Sequence, residues 1–121
     1  MITKTEKIGG ILKGLNEVGG ISGSLVASRD GLVIASGTSE IDAETFAAMT
    51  AAMQGAAETA ASELKQGEIE QIVVDAEKGK ILSTGAGEKA LLVSITKKDI
   101  NLGLALLEMG KAAEKISNIL K

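Results

Sequence analysis

The chain has no cysteine and no histidine, and its only aromatic residue is Phe46. Without cysteine there is no disulfide, no thiolate nucleophile and no sulfur-ligated zinc. Without histidine the commonest general base and the commonest metal ligand are gone as well. Any catalysis would rest on Ser, Thr, Lys, Asp, Glu and a single arginine, Arg29. A binding or scaffold protein is therefore expected, with no catalytic set, no cofactor and no metal site. A lone aromatic also removes the stacking platforms that hold single-stranded nucleic acid. The net charge is −3, and no basic cluster exceeds Lys97-Lys98, so phosphate neutralisation is not provided for and no nucleic-acid partner is expected.

Long apolar runs are missing too. None approaches the ~20 residues a membrane span requires, so no membrane insertion is expected. The opening MITKTEKIGG lacks a signal-peptide core, which points to the cytoplasm. What is present is an ordinary globular composition, 45% hydrophobic and 24% charged over 121 residues. That length suits one domain, residues 1–121, burying roughly two-thirds of its extended-chain surface. No linker or internal repeat divides it.

Periodicity orders the chain. Residues 3–18 place Ile8, Ile11, Leu12, Leu15 and Val18 at helical spacing. Gly9, Gly10 and Gly14 each cost this helix ~1 kcal/mol relative to alanine, which suggests close approach of a neighbouring backbone. Gly19-Gly20 ends it. Residues 23–28 and 32–36 are strand-length apolar runs joined by Arg29-Asp30-Gly31, a hairpin signal in which glycine supplies positive φ. Arg29 on such a turn reads as a solvated turn residue; its alternative is a charged finger presented to a phosphoryl-transfer site.

Residues 42–66 form the longest helix, with Asp42 as its N-cap. It has two apolar faces. Phe46, Met49, Met53, Ala56, Ala60 and Leu64 form a large stripe, expected to lie on the sheet as core. Ala48, Ala52, Gly55, Thr59 and Ser62 form a small stripe nearly opposite, alternating four and three, the period of a helix-packing seam. A solitary surface helix usually carries Lys and Glu on its outer face. This one offers small residues, which points to self-association there.

Residues 68–75, 80–84 and 90–96 read as three further strands with short connections, and residues 101–120 as a closing helix capped by Asn101 or Asp99. Leu102, Leu106, Met109, Ala113, Ile116 and Leu120 give that helix its apolar stripe. The fold class is α/β of the α+β kind: a five-stranded, mostly antiparallel sheet with helices on both faces, in the order helix-strand-strand-helix-strand-strand-strand-helix. Strand 68–75 follows the long helix and is a candidate sheet edge. Glu68, Glu70 and Asp75 would blunt that edge, or a second copy would pair with it across a two-fold axis. GAGEKA, residues 85–90, matches a dinucleotide fingerprint formally, but a strand follows it where a helix is required, so its glycines read as hairpin residues.

Three stretches in this order carry a resemblance: GSLVASRDGLVIAS (23–36), DAETFAAMTAAMQGAAETAASEL (42–64) and NLGLALLEMGKAAEKI (101–116). The chain resembles the roadblock/dynein-light-chain family, in particular its short single-domain prokaryotic members. The resemblance implies a homodimer joined through the third strands and the middle helices. On that basis Ala48, Ala52, Gly55, Thr59, Ser62, Ile69, Gln71 and Val73 are the expected dimer interface, and Ala51, Gln54 and Glu58 the expected partner contacts. It also implies a platform for a small Ras-like GTPase, in some members an activator that donates no catalytic arginine. The family's closing helix usually carries basic residues after the glutamate, where this chain has Met109-Gly110-Lys111. A small-molecule sensor of similar architecture is the alternative reading.

Overall fold

The computed structural model describes residues 1–38 and 41–121. Eight elements follow in the expected order. Helix α1 (Lys4–Asn16) leads to strands β1 (Ile21–Ser28) and β2 (Val33–Ser36). Helix α2 (Ala43–Glu63) precedes β3 (Ile72–Asp75), β4 (Gly79–Gly85) and β5 (Ala90–Lys97), and α3 (Leu102–Leu120) closes the chain.

The helix starts are where capping chemistry puts them. Thr3 accepts from the Glu6 backbone N–H, Asp42 from Glu44 and Asn101 from Leu104, each satisfying an otherwise unpaired donor of a first turn. Asn101 rather than Asp99 is thus the cap of α3. Helix α1 stops two residues short of the expected 18, and Gly20 then turns the chain at φ +96°. The hairpin residue Gly31 adopts φ +89°, the left-handed conformation its turn needs. A Cβ there would come within 3.2 Å of the Ala48 Cα, so the tip of the first hairpin also lies against α2.

All pairings are antiparallel, and the strand order is β2-β1-β5-β4-β3. The two hairpin units meet where β1 pairs with β5, which puts these strands at the centre, buried on both sides. Their near-continuous apolar runs are the signature of that position. β3 and β2 are the edges.

Helices α1 and α3 share one face of the sheet and pack on each other. Their core contains Ile8, Leu12, Leu15, Val26, Leu82, Leu92, Met109 and Ile116. Helix α2 lies alone on the other face, over β1, β2 and β5, with a smaller core of Leu25, Ala27, Phe46, Ala47 and Val93.

Two expectations are corrected at this level. The third strand does not begin at residue 68. Lys65 at φ 57° and Gly67 at φ 86° reverse the chain after α2, and only Ile72–Asp75 pairs with β4. Glu68 and Glu70 therefore precede the strand rather than alternating along it. The glycines of α1 do not meet a neighbour either: a Cβ added at Gly9, Gly10 or Gly14 would find nothing within 4 Å. Among the described residues, no helix is long and apolar enough to cross a membrane.

Candidate functional site

Helix α2 is apolar on most of its circumference, so periodicity alone does not say which side it buries. The buried side is Phe46, Ala47, Thr50 and Gln54, so of the large stripe only Phe46 is buried and Met53 half-buried. Met49 is 67% exposed and Leu64 70%. Met49 is therefore a surface side chain where a core position was expected. The physical reason is the sheet below. The β1–β5 centre accepts Phe46 against Leu25, Ala27 and Val93, and once Phe46 is seated the helix buries the adjacent Ala47 and, one and two turns on, Thr50 and Gln54. Thr50 returns its hydroxyl to the Phe46 carbonyl at 2.8 Å, which satisfies it inside the apolar contact.

The outward face is correspondingly apolar. Ala48, Met49, Ala52, Gly55, Ala56, Thr59 and Ala60 are all exposed, and a Cβ at Gly55 would meet nothing within 4 Å. Ser62 is exposed as well, while Ala51 is half-buried. Gln54 is only 4% exposed and lies on the buried side of the helix rather than on its outward face. On the following segment Ile69 is half-buried and Gln71 exposed, both ahead of β3, and Val73 on the strand itself is 38% exposed. β3 is bonded on one side only, to β4, so its other side offers free backbone donors and acceptors. At the end of that edge Asp75 pairs with Lys80 at 2.8 Å and with Lys98. Hydrogen bonds from Lys80 and then Lys98 hold the Asp75 carboxyl down at about 2, well below its ordinary 3.8.

Beneath the second half of α2 lies a cleft of about 820 Å³. Gln54, Glu58 and Ser62 line it from the helix, Lys65, Gly67, Glu68 and Ile69 from the loop that follows, and Gly85, Gly87 and Glu88 from the β4–β5 turn. Arg29 bridges its walls. Its Nε donates to the Glu88 carbonyl at 2.9 Å, Nη2 donates to the Gly87 carbonyl at 3.2 Å, and Nη1 faces Glu58 Oε2 at 3.4 Å. The only arginine is thus an exposed turn residue, as expected, but one whose side chain is engaged rather than free. It ties the first hairpin, the last hairpin and α2 together. Sequence pattern could not reveal this, because the partners lie 58, 59 and 29 residues away. The cleft also unites Gln54, Glu58, Ser62 and Ile69, which had been assigned to two separate surfaces.

Helices α1 and α3 on one face, α2 alone on the other, and the strand order β2-β1-β5-β4-β3 define the class as a roadblock-type α+β fold. The chain belongs to the Roadblock/LC7 domain family, whose sequence pattern matches residues 7–96. Among curated relatives it is similar to the uncharacterised protein MJ1340 of Methanocaldococcus jannaschii, 47% identical over 107 residues, covering 88% of this chain and 93% of that one. Among solved structures it is similar to MglB in a tetrameric arrangement, with TM-score 0.88 and 25% identity over 96% of this chain and 89% of that one. A Roadblock/LC7 domain from Streptomyces avermitilis has the same fold, with TM-score 0.85 and 20% identity over 91% of this chain and 94% of that one.

Proposed function

We propose that this chain is one roadblock-type domain acting as a non-enzymatic, homodimeric regulator or scaffold of a small Ras-like GTPase. The observation that carries this reading is the outward face of α2: an apolar and small-residue surface, with Met49 67% exposed and open space at Gly55. Scattered apolar residues are ordinary on a surface, but a contiguous apolar helix face is a site of association. Ala48, Ala52, Gly55 and Thr59, with Met49 and Ala56 added, would form the helix seam between two copies. The free backbone groups of β3 would pair with their symmetry mates, Val73 included. Ala51, Glu58 and Ser62 flank that seam as contacts for the GTPase. The family membership and the similarity to MglB support the same reading.

A platform of this kind works by differential affinity. It shifts a GTPase only so far as it binds one nucleotide state better than the other. The contacts of Arg29 with Gly87, Glu88 and Glu58 favour a structural tie over a charge presented to a phosphoryl group.

Two measurements test the proposal. Light scattering of the purified chain should give the mass of a dimer, and Gly55→Leu should give a monomer with unchanged far-UV circular dichroism. A dimeric Gly55→Leu would remove the helix seam from the interface. Affinity capture with the chain as bait, in parallel with GDP and a non-hydrolysable GTP analogue, should retain a Ras-like GTPase. Retention in one state identifies a regulator, and retention in both identifies a scaffold. No GTPase in either state would end the reading. Detection cannot use tryptophan or tyrosine absorbance, since the chain has neither.

A further inference from the structure

We propose that the cleft beneath the second half of α2 is a binding site for a guanidinium or primary ammonium group. The first observation is an unsatisfied interior. Gln54 is 4% exposed and lines the cleft, and its Oε1 has no hydrogen-bond partner. Ser83 is 1% exposed, and its Oγ is unpartnered as well. Ser83 pairs with Val93, whose side chain belongs to the core under α2, and it lies two residues before the cleft-lining Gly85 on the same face of β4. Leaving a buried acceptor unpaired costs about 1–3 kcal/mol. Gln54, which of these two lines the cleft, marks a place where something else supplies the donor.

The second observation is the chemistry of the walls. Glu58, Glu68 and Glu88 line the cleft against two cations, Arg29 and Lys65. The Arg29 guanidinium is already engaged by two carbonyls and by Glu58. Among the described residues, Glu68 and Glu88 form no ion pair. What remains open at the walls is therefore acceptor chemistry, two carboxylates, beside a buried amide oxygen that has no donor. An anion would be repelled, and a neutral apolar ligand would leave Gln54 unsatisfied. A cation bearing several N–H donors meets both demands. The walls already hold one such group in Arg29. At about 820 Å³ the cleft also has the size of a small-molecule site rather than of a single water.

The same chemistry has two sources: a free guanidine or polyamine, and an arginine or lysine side chain of a protein docked against α2. The cleft shares Glu58 and Ser62 with the proposed GTPase contacts, but the proposal rests on Gln54 and the free carboxylates, which the helix seam does not use.

The test is a titration of the ¹⁵N-labelled full chain, followed by nuclear magnetic resonance at the side-chain amide of Gln54. The probes are n-butylguanidinium and agmatine, with tetramethylammonium at matched ionic strength as a cation that donates no hydrogen bond. Both probes should move the Gln54 amide saturably, and tetramethylammonium should not. Glu68→Gln combined with Glu88→Gln, both at exposed positions, should weaken binding about tenfold, the scale of one charge-assisted hydrogen bond. Agmatine binding well above n-butylguanidinium would indicate a free dication as the ligand. Equal affinities would indicate a site that reads a single guanidinium, as a side chain presents it. An unmoved Gln54 amide, an equal shift with tetramethylammonium, or unweakened binding to the double variant would each overturn the proposal. Light scattering on the same samples keeps that outcome separate from the fate of the dimer.

Discussion

The face of the sheet covered by α1 and α3 and the face covered by α2 are built from the same β1 and β5 strands but are closed to different degrees. On the first face two helices pack on each other and on the sheet, burying Ile8, Leu12, Met109 and Ile116 completely or almost so. On the second, one helix seats its first half through Phe46 and Ala47, and its second half stands over a cleft with Arg29 as a tie. The difference separates the part of the molecule that makes it stable from the part available for binding. Packing energy scales with what is enclosed, whereas recognition needs surfaces left incompletely enclosed.

The largest effects should fall on the closed face. Ile116→Ala removes a fully buried side chain from between two helices and should cost about 4 kcal/mol in urea denaturation, while Phe46→Ala, at the half-open face, should cost about 3. A reversed order would mean that α2 contributes more to stability than its enclosure suggests. Next in size, Arg29→Ala removes hydrogen bonds from a charged donor to two carbonyls and should cost about 1–2 kcal/mol. Its diagnostic is local: hydrogen exchange should accelerate over residues 58–63 and stay unchanged over residues 46–50. Uniform acceleration along α2 would show that the helix moves as one body.

Helix α1 offers a test in the stabilising direction. Gly10→Ala and Gly14→Ala add a methyl group into open space and should each raise stability by about 1 kcal/mol. Gly37→Ala should act oppositely, because its Cβ would lie 3.0 Å from both Leu12 Cβ and Asn16 Nδ2. The smallest effect is at the edge of β3. The Asp75 carboxyl is held below its ordinary range in the folded chain, so its contribution is complete above pH 3.8 and is lost as pH falls from there through about 2. Asp75→Asn should remove that contribution on the neutral side, and so flatten the acid limb of the stability profile in that window, while leaving stability at the acid end almost unchanged. A steeper limb in the variant would contradict the assigned lysine contacts.

Much of this was legible in the residues. Gly31, Asp42 and Asn101 marked a turn and two helix starts because each acts on neighbours in sequence, and local chemistry is written locally. The stripe of α3 was legible because Met109, Ala113 and Ile116 alternate with charged residues, leaving one possible buried side. Helix α2 was misread for the converse reason. With alanine on most sides, its sequence carries two competing apolar stripes and no charged face to reject one of them. β3 was overextended because alternation continues through residues 68–71, although the backbone has no partner strand there.

By itself, then, the sequence determined the order of elements, their caps and turns, the antiparallel hairpins and the family, all properties set by residues within a few positions of one another or by spacing along the chain. Only the tertiary structure decided which side of α2 is buried, where Arg29 goes and what lies beneath Gln54. Each of those depends on groups brought together across tens of residues, and their energies exist only once the sheet has formed and offered α2 one seat.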